Sequence, residues 1–425
     1  MKILVVGGAG AMGEWFVGFF EERGYDVYVS DPDADDSVPL KRVDDFDIVV
    51  VSVPIDSTVE VIEEVAPRMS DGLLMDITSV KKKPVDAMRE NVSEDVEVLG
   101  THPMYGPSVR SMRGQTVIIV EVHTGERAEE IVSLFDDAGA NIQRVSAKEH
   151  DEMMSVVQGL THFSYITVGR TLERIDFDVD ESRRFMSPVY EITLDFVGRI
   201  LNQNPHLYAD IQENQPVGVV HDAFVETARE LRGLVEDGDH DGFVDVMNDS
   251  ARHYGDTKSA LRRSDKLIDA KVEEYEELHE SLGDERGLRH VYSDTVHVGV
   301  VDEIDGQTVY LDEGTEVVEL NTSNVELLSE DELRDWKLES LERHERDVSV
   351  VFSHGIDTEV LEDVLVSSDD DVVEVETVDI YDGDAVPEDA VSYTVRLGII
   401  GDADPGEVVG SVVETLEGLG GEIRT

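Results

Sequence analysis

The chain contains no cysteine, which excludes structural disulfides, a thiol nucleophile and thiolate metal sites. Positive charge is scarce. Lys and Arg total 35 against 96 Asp and Glu, giving a formal net charge of −61, and only ten of the basic residues are lysine. Such a surface repels a phosphate backbone, so nucleic acid is not an expected partner. There is no run of the roughly 18 apolar residues that a membrane-crossing helix needs. The first residues, MKILVVGG, lack the segments of a secretion signal and start directly with a strand-like run. A cytoplasmic location and no membrane contact are the expectation.

What is present is a long, foldable chain. Its 425 residues suggest about two to four domains, and hydrophobic residues make up 40% of them. The acids are spread along the whole sequence rather than gathered in a tail. In dilute buffer their self-repulsion opposes compaction; at molar salt, with a Debye length of about 3 Å, it is screened. This pattern resembles proteins adapted to high intracellular salt. An acidic disordered chain would lack the long apolar-periodic segments that persist here.

Short apolar runs alternate with amphipathic stretches over residues 1–146, the pattern of a doubly wound, Rossmann-like α/β domain with a parallel sheet. Strands are predicted at Lys2–Gly7, Asp26–Ser30, Ile48–Val53, Leu73–Asp76, Val96–Gly100 and Thr116–Val120. Residues 147–282 read as an all-helical second domain, interrupted at Pro188, Pro205, Pro216 and near Gly238. Residues 290–329 alternate like a small β-rich module, with turns at Asp305-Gly306 and Glu313-Gly314. A charged helical connector over Glu330–Arg346 leads to residues 347–425, which read strand, helix, strand, strand, helix, strand. That order is the ferredoxin-like α+β arrangement.

Gly8-x-Gly10-x-x-Gly13 follows the first strand and opens the first helix. In that context the first Gly is expected to form the tight turn, the second to let the backbone approach a pyrophosphate, and Gly13 to bring helix and strand together. The helix N-terminus at Ala11 and Met12 then faces the anion. Asp31 ends the second strand, where an acid accepts from the adenosine ribose and repels a 2′-phosphate. NAD is therefore the expected cofactor. No histidine spacing suggests a metal site, and none is expected. His123, His150, His206, His221, His253 and His279 are taken as structural.

Three further segments narrow the chemistry. Asp76-Ile77-Thr78-Ser79-Val80-Lys81-Lys82 and Thr101-His102-Pro103-Met104-Tyr105-Gly106-Pro107 follow the fourth and fifth strands, at the strand ends where ligands of open α/β sheets bind. The third is helical: Gln158 to Tyr165, then Ser187-Pro188-Val189-Tyr190, Val197-Gly198-Arg199-Ile200 and Leu207-Tyr208-Ala209-Asp210. In this combination residues 1 to about 282 resemble the prephenate/arogenate dehydrogenase family. The resemblance implies NAD-dependent oxidative decarboxylation of prephenate, on the route to tyrosine, by a homodimer. Arogenate, the amino form, remains the alternative substrate.

Carried over by that resemblance, His102 is the catalytic base at the substrate's C4 hydroxyl, a role suited to an imidazole near neutral pH. Ser79 bonds the same hydroxyl and orients the histidine; otherwise it is a helix N-cap. Arg199 grips a substrate carboxylate in bidentate fashion, and His162 lies near the side-chain carboxylate. A β-hydroxyacid dehydrogenase, which generally relies on a lysine base in its helical domain, fits this pattern less well. The last 79 residues resemble the ferredoxin-fold anticodon-binding domain of phenylalanyl-tRNA synthetase subunits. That leaves a nucleotide-responsive RNA-binding protein as a reading of another class, which the acidity of the segment opposes.

Overall fold

The computed structural model describes residues 1–424 apart from 186, 292, 354, 370, 384, 385, 388, 389 and 402. The chain divides into two compact units, Met1–Leu261 and Arg262–Thr425.

The first unit begins with strands β1 (Lys2–Val6), β2 (Asp26–Ser30), β3 (Ile48–Val51), β4 (Gly72–Asp76), β5 (Val96–Pro103), β6 (Thr116–His123) and β7 (Asn141–Arg144). They form one seven-stranded sheet in the order β2-β1-β3-β4-β5-β6-β7. Strands β3, β4 and β5 are buried along their whole length, as expected where helices cover both faces of a sheet. The period of two is visible in β1. Ile3 and Val5 join a core with Phe16, Phe20 and Phe135, whereas Leu4 and Val6 join a second core with Ile62, Val65 and Met88. Helices α1 (Ala11–Glu21) and α4 (Glu126–Asp137) supply the first core; α2 (Ile55–Val65) and α3 (Lys82–Asn91) supply the second. Each fully buried Phe contributes about 1.5–3 kcal/mol to this packing.

The doubly wound expectation holds, with two corrections. Strand β6 runs antiparallel to β5, because the connection from Met104 to Gln115 contains no helix to carry the chain back across the sheet. Strand β7, which pairs parallel to β6, has the polar sequence NIQR at the sheet edge and carries no apolar run to announce it. Since β2 and β3 leave β1 on opposite sides, a crevice opens at the carboxyl end of β1.

Helices follow, with no intervening strand among the described residues. They are α5 (Ala147–Met154), a π-helical turn over Ser155–Leu160, α6 (Thr161–Arg174), α7 (Val179–Ser182), α8 (Pro188–Leu201), α9 (Pro205–Gln212), α10 (Val217–Asp237), α11 (His240–Tyr254) and α12 (Thr257–Glu280). Their ends are written in the sequence. Ser146, Ser187 and Asn204 cap α5, α8 and α9 through side-chain oxygens, Pro188 and Pro205 occupy first-turn positions, and left-handed Gly238 ends α10. No helix among the described residues is long and apolar enough to cross a membrane.

In the second unit β8 (Glu285–His290), β9 (Val296–Asp305), β10 (Thr308–Asp312), β11 (Val317–Asn321) and β12 (Val325–Leu327) form a five-stranded sheet in the order β11-β10-β9-β8-β12. The expected hairpin turns carry positive φ at Gly306 and Gly314. Helix α13 (Glu330–Ser340) opens with a capping box between Ser329 and Glu332. It is shorter than the predicted connector, because residues 344–346 already belong to the next strand. The chain ends in β13 (His344–Phe352), α14 (Thr358–Val366), β14 (Val372–Tyr381), β15 (Val391–Ile399), α15 (Pro405–Gly418) and β16 (Glu422–Ile423). The order β14-β15-β13-β16 is the ferredoxin-like one, with Val350, Phe352, Leu365, Val395, Val412 and Leu416 in its core.

Candidate active site

The loop from β1 into α1 is built for close approach. Gly7, one residue before the predicted motif, takes φ +82, and a Cβ there would lie 2.3 Å from the Ser52 carbonyl oxygen. Gly8 lies in the expected tight turn, which the Gly10 N–H closes onto the Gly7 carbonyl at 3.2 Å, while the positive φ falls on Gly7. Gly8 packs on Val29, and a Cβ on Gly13 would sit 2.1 Å from the Gly7 oxygen. Gly10 is the N-cap of α1 and offers no side chain to its first N–H groups, so Ala11 and Met12 open an uncapped, anion-favouring helix end. The Asp31 carboxylate accepts from the Ala9 N–H at 3.1 Å and the Asp33 N–H at 3.0 Å. This cradle, with no Cβ in the way and an acid at its edge, fits the pyrophosphate and adenosine ribose of a dinucleotide.

His102 lies near the end of β5 and is 2% exposed. Its Nδ1 is 2.8 Å from His150 Nε2, and the Nδ1 of His150 is 2.8 Å from Asp151 Oδ1. Asp151 also accepts from the backbone N–H groups of Lys81 and Lys82, at 2.8 and 3.2 Å. On the other side of the ring, His102 Nε2 lies 3.4 Å from Gln158 Nε2. Burial, with the neighbouring His150 ring and the Lys81 charge also opposing protonation, holds His102 well below the usual imidazole range. It is a neutral ring at neutral pH. His150, expected to be merely structural, is thus the partner that holds the ring.

The loop after β4 adds a buried ion pair between Lys81 and Asp76, both inaccessible to solvent. Burial lowers the pKa of Lys81, with Asp76 opposing. Thr78 donates its hydroxyl to Asp76 and its backbone N–H to the same oxygen. Ser79 lies half-buried in the bend between Asp76 and Lys81. It is not the N-cap. That position is Lys81, which makes no side-chain cap, and the Asp151 carboxylate takes the free N–H groups instead.

A second group of side chains lies on the helices. His162 meets Tyr208 edge-on, with ring centroids 4.6 Å apart, and its Nδ1 is buried without a partner among the described residues. Burial raises Tyr208 above the ordinary phenol range while the charge of Arg199 opposes it, which brings Arg199 into the same group. Arg199 is exposed and forms no ion pair among the described residues. Gln158 Oε1 and Tyr105 Oη are also buried and have no hydrogen-bond partner among the described residues. Tyr105 packs against Trp15 of α1, whose indole N–H donates to the Val109 carbonyl at 2.8 Å; this ties the loop after His102 to the cofactor helix. Gln158 sits in the π-helical turn, a feature frequent at functional sites.

A dinucleotide cradle and a buried, neutral, hydrogen-bonded imidazole at the end of a sheet strand together define a dehydrogenase. Comparison with known sequences narrows the class. The prephenate dehydrogenase nucleotide-binding domain matches residues 22–144, and the prephenate dehydrogenase dimerization domain matches residues 146–249. A protein of Methanocaldococcus jannaschii named probable arogenate/prephenate dehydrogenase is 35% identical over 416 residues, 93% of this chain and 92% of its own. The T-protein of Haemophilus influenzae is 32% identical over 63% of this chain and 71% of its own. Among solved structures, prephenate dehydrogenase from A. aeolicus aligns with TM-score 0.49 and 22% identity, over 60% of this chain and 97% of its own. The chain belongs to the prephenate/arogenate dehydrogenase family and is an oxidoreductase.

Proposed function

We propose that this protein oxidises and decarboxylates prephenate to 4-hydroxyphenylpyruvate with NAD as hydride acceptor. The observation that carries the reading is His102, a buried neutral base whose Nδ1 is engaged by His150 and whose Nε2, approached only at 3.4 Å by the Gln158 amide, can accept from a substrate hydroxyl. Bound NAD supplies the acceptor for the C4 hydride. As that hydride leaves, carbonyl character grows at C4, and the hydroxyl proton moves toward His102 Nε2. The bond to the ring carboxylate breaks, its electron pair enters the ring, and carbon dioxide departs. The product is a phenol that keeps its proton at neutral pH, so His102 returns the proton to the same oxygen and no proton is released overall. A weakly basic imidazole suits a proton that is borrowed and returned.

Three further residues support the reading. Asp31 at the edge of the cradle favours NAD over its 2′-phosphorylated form. Arg199, exposed and without an ion pair among the described residues, offers a fork for a carboxylate. With His162 it makes a donor-rich end, which suits the keto and carboxylate acceptors of the prephenate side chain. Ser79 has the chemistry to share the C4 hydroxyl with His102. Arogenate is the second reading, favoured by the unpartnered Gln158 Oε1, an acceptor that an ammonium group would satisfy. The working unit is a homodimer formed through the helical region, supported by the dimerization-domain match and the exposed Val219, Val235, Met247 and Tyr254 of α10 and α11.

The test is NADH or NADPH formation in molar potassium chloride, with prephenate and arogenate each paired with NAD or NADP. Turnover of prephenate with NAD is expected. Turnover of arogenate alone assigns the second reading, and a folded protein inactive in all four wells overturns both.

A further inference from the structure

Two titratable groups at this site do no work in the reaction as described. His150 is 1% exposed and Asp151 3%, both on α5, and neither carries an unshared polar atom toward a substrate. Burying an imidazole and a carboxylate side by side is costly unless each is fully hydrogen-bonded.

The hydrogen-bond directions can be worked out from one end. Burial pushes Asp151 up, but the hydrogen bonds from His150 and from the Lys81 backbone outweigh it and hold the carboxyl below its ordinary range. Asp151 is therefore ionised and can only accept. His150 must present an N–H at Nδ1, which leaves its Nε2 as a lone pair in the neutral ring. His102 Nδ1, 2.8 Å from that lone pair, must then be the donor. A neutral imidazole has one N–H, so His102 Nε2 is left as the base. The Gln158 amide at 3.4 Å presents a donor to that nitrogen and agrees with the assignment.

We propose that Asp151 and His150 are positioning residues that fix His102 in its Nδ1–H tautomer, so that Nε2 is always the proton-accepting atom. The proposal rests on the reading of His102 as the base. The same carboxylate binds the backbone of Lys81 and Lys82, so Asp151 sets the base and anchors the loop that carries Ser79 in one place. When His102 Nε2 takes the substrate proton, the imidazolium donates through Nδ1 to His150, whose other nitrogen donates to the Asp151 carboxylate. No bond to carbon changes in this chain, and the proton returns to the phenol oxygen by the route it came.

The test uses the full chain in molar potassium chloride. Histidine-selective 15N labelling reads the tautomer of each ring without any substrate, His102 being assigned by its loss in His102→Asn. The expected signature is a protonated Nδ1 and a bare Nε2; a protonated Nε2 in the wild type overturns the proposal whatever the enzyme turns over. Steady-state kinetics then compare His150→Gln, which keeps an acceptor for His102 Nδ1, with His150→Leu, which does not. His150→Leu is expected to lose about 100-fold or more in kcat with NAD affinity and KM within about threefold, and His150→Gln to recover most of it. Equal kcat in the two variants, or wild-type kcat in His150→Leu, overturns the proposal. If His150→Leu does not fold, Asp151→Asn takes its place. There one acceptor becomes a donor, and mixed His102 tautomers with kcat lowered about tenfold or more are expected; an unchanged tautomer and kcat count against it.

Discussion

A base that works as a neutral imidazole loses activity when it is protonated, so the acid limb of kcat/KM reports the pKa of His102 in the free enzyme. Were that pKa the ordinary value of about 6.5, roughly a quarter of the plateau would survive at pH 6.0. The surroundings of His102 argue for more. The ring is buried, and the Lys81 charge and the neighbouring His150 ring both oppose its protonation. Asp76 and Asp151 are the nearby carboxylates, but each is already committed, Asp76 to Lys81 and Asp151 to His150 and the α3 N-terminus; Gln158 adds only a neutral donor. The sign is therefore downward. More than half of plateau kcat/KM is expected at pH 6.0, with a single-proton limb below that. The assay is initial-rate NADH formation from pH 5 to 8 at constant molar potassium chloride, with folding followed in parallel by circular dichroism. A limb centred at or above 6.5 in folded protein would refute the reasoning.

The same burial links stability to pH. The folded-state pKa values of His102 and His150 are both depressed, so below about 6.5 the unfolded chain takes up protons that the native chain refuses. The stability is complete above 6.5 and falls with pH, by up to about 1.4 kcal/mol per unit for each ring; urea titrations at pH 7 and 5.5 should show the loss, and the double variant His102→Asn with His150→Gln should flatten it. Gly13→Ala places a Cβ 2.1 Å from the Gly7 oxygen, and calorimetry should show about 1–3 kcal/mol lost from cofactor binding or folding. Asp31→Ser removes the acid at the ribose, and the NAD to NADP ratio of kcat/KM should drop about tenfold. Arg199→Lys keeps the charge but not the fork, and KM for the substrate should rise about tenfold with kcat little changed.

Much of the fold could be read from local pattern because its core strands are apolar runs. Ile48–Val51 and Leu73–Met75 are buried on both faces and can be little else. Strand β7 and strand β8, with sequences NIQR and ERGLRH, could not be read this way, since an edge or half-exposed strand carries no such run. The direction of β6 was also hidden, because it depends on what the connection lacks rather than on the strand. The site divides along the same line. His102 and the glycine loop sit in contiguous motifs. The role of His150 lies in a contact spanning 48 residues of sequence, and its only local sign is the adjacent Asp151. The carboxylate that caps α3 comes from 69 and 70 residues away, so Ser79 looked like the cap until the fold brought a better acceptor.

The charge that dominates the composition also bears on which cations keep their donors free. In a chain with 96 acids an arginine finds a carboxylate easily. Arg42, Arg89, Arg144, Arg170, Arg232 and Arg252 each pair with an acid close in sequence or across a strand, and Arg396 holds Asp347 through two nitrogens. Such exposed pairs add little stability, but they occupy the guanidinium. Arg199 is one of several arginines that form no ion pair among the described residues, and what sets it apart for the proposed carboxylate contact is the reach of its charge to Tyr208. A dianion approaching a surface of net charge −61 is repelled at long range in dilute buffer. At molar salt the screening length of about 3 Å removes that repulsion yet leaves a direct guanidinium–carboxylate contact largely intact. On the proposed reading, molar salt would serve the fold and the substrate by one mechanism, screening the many distant acids while a direct contact to Arg199 persists.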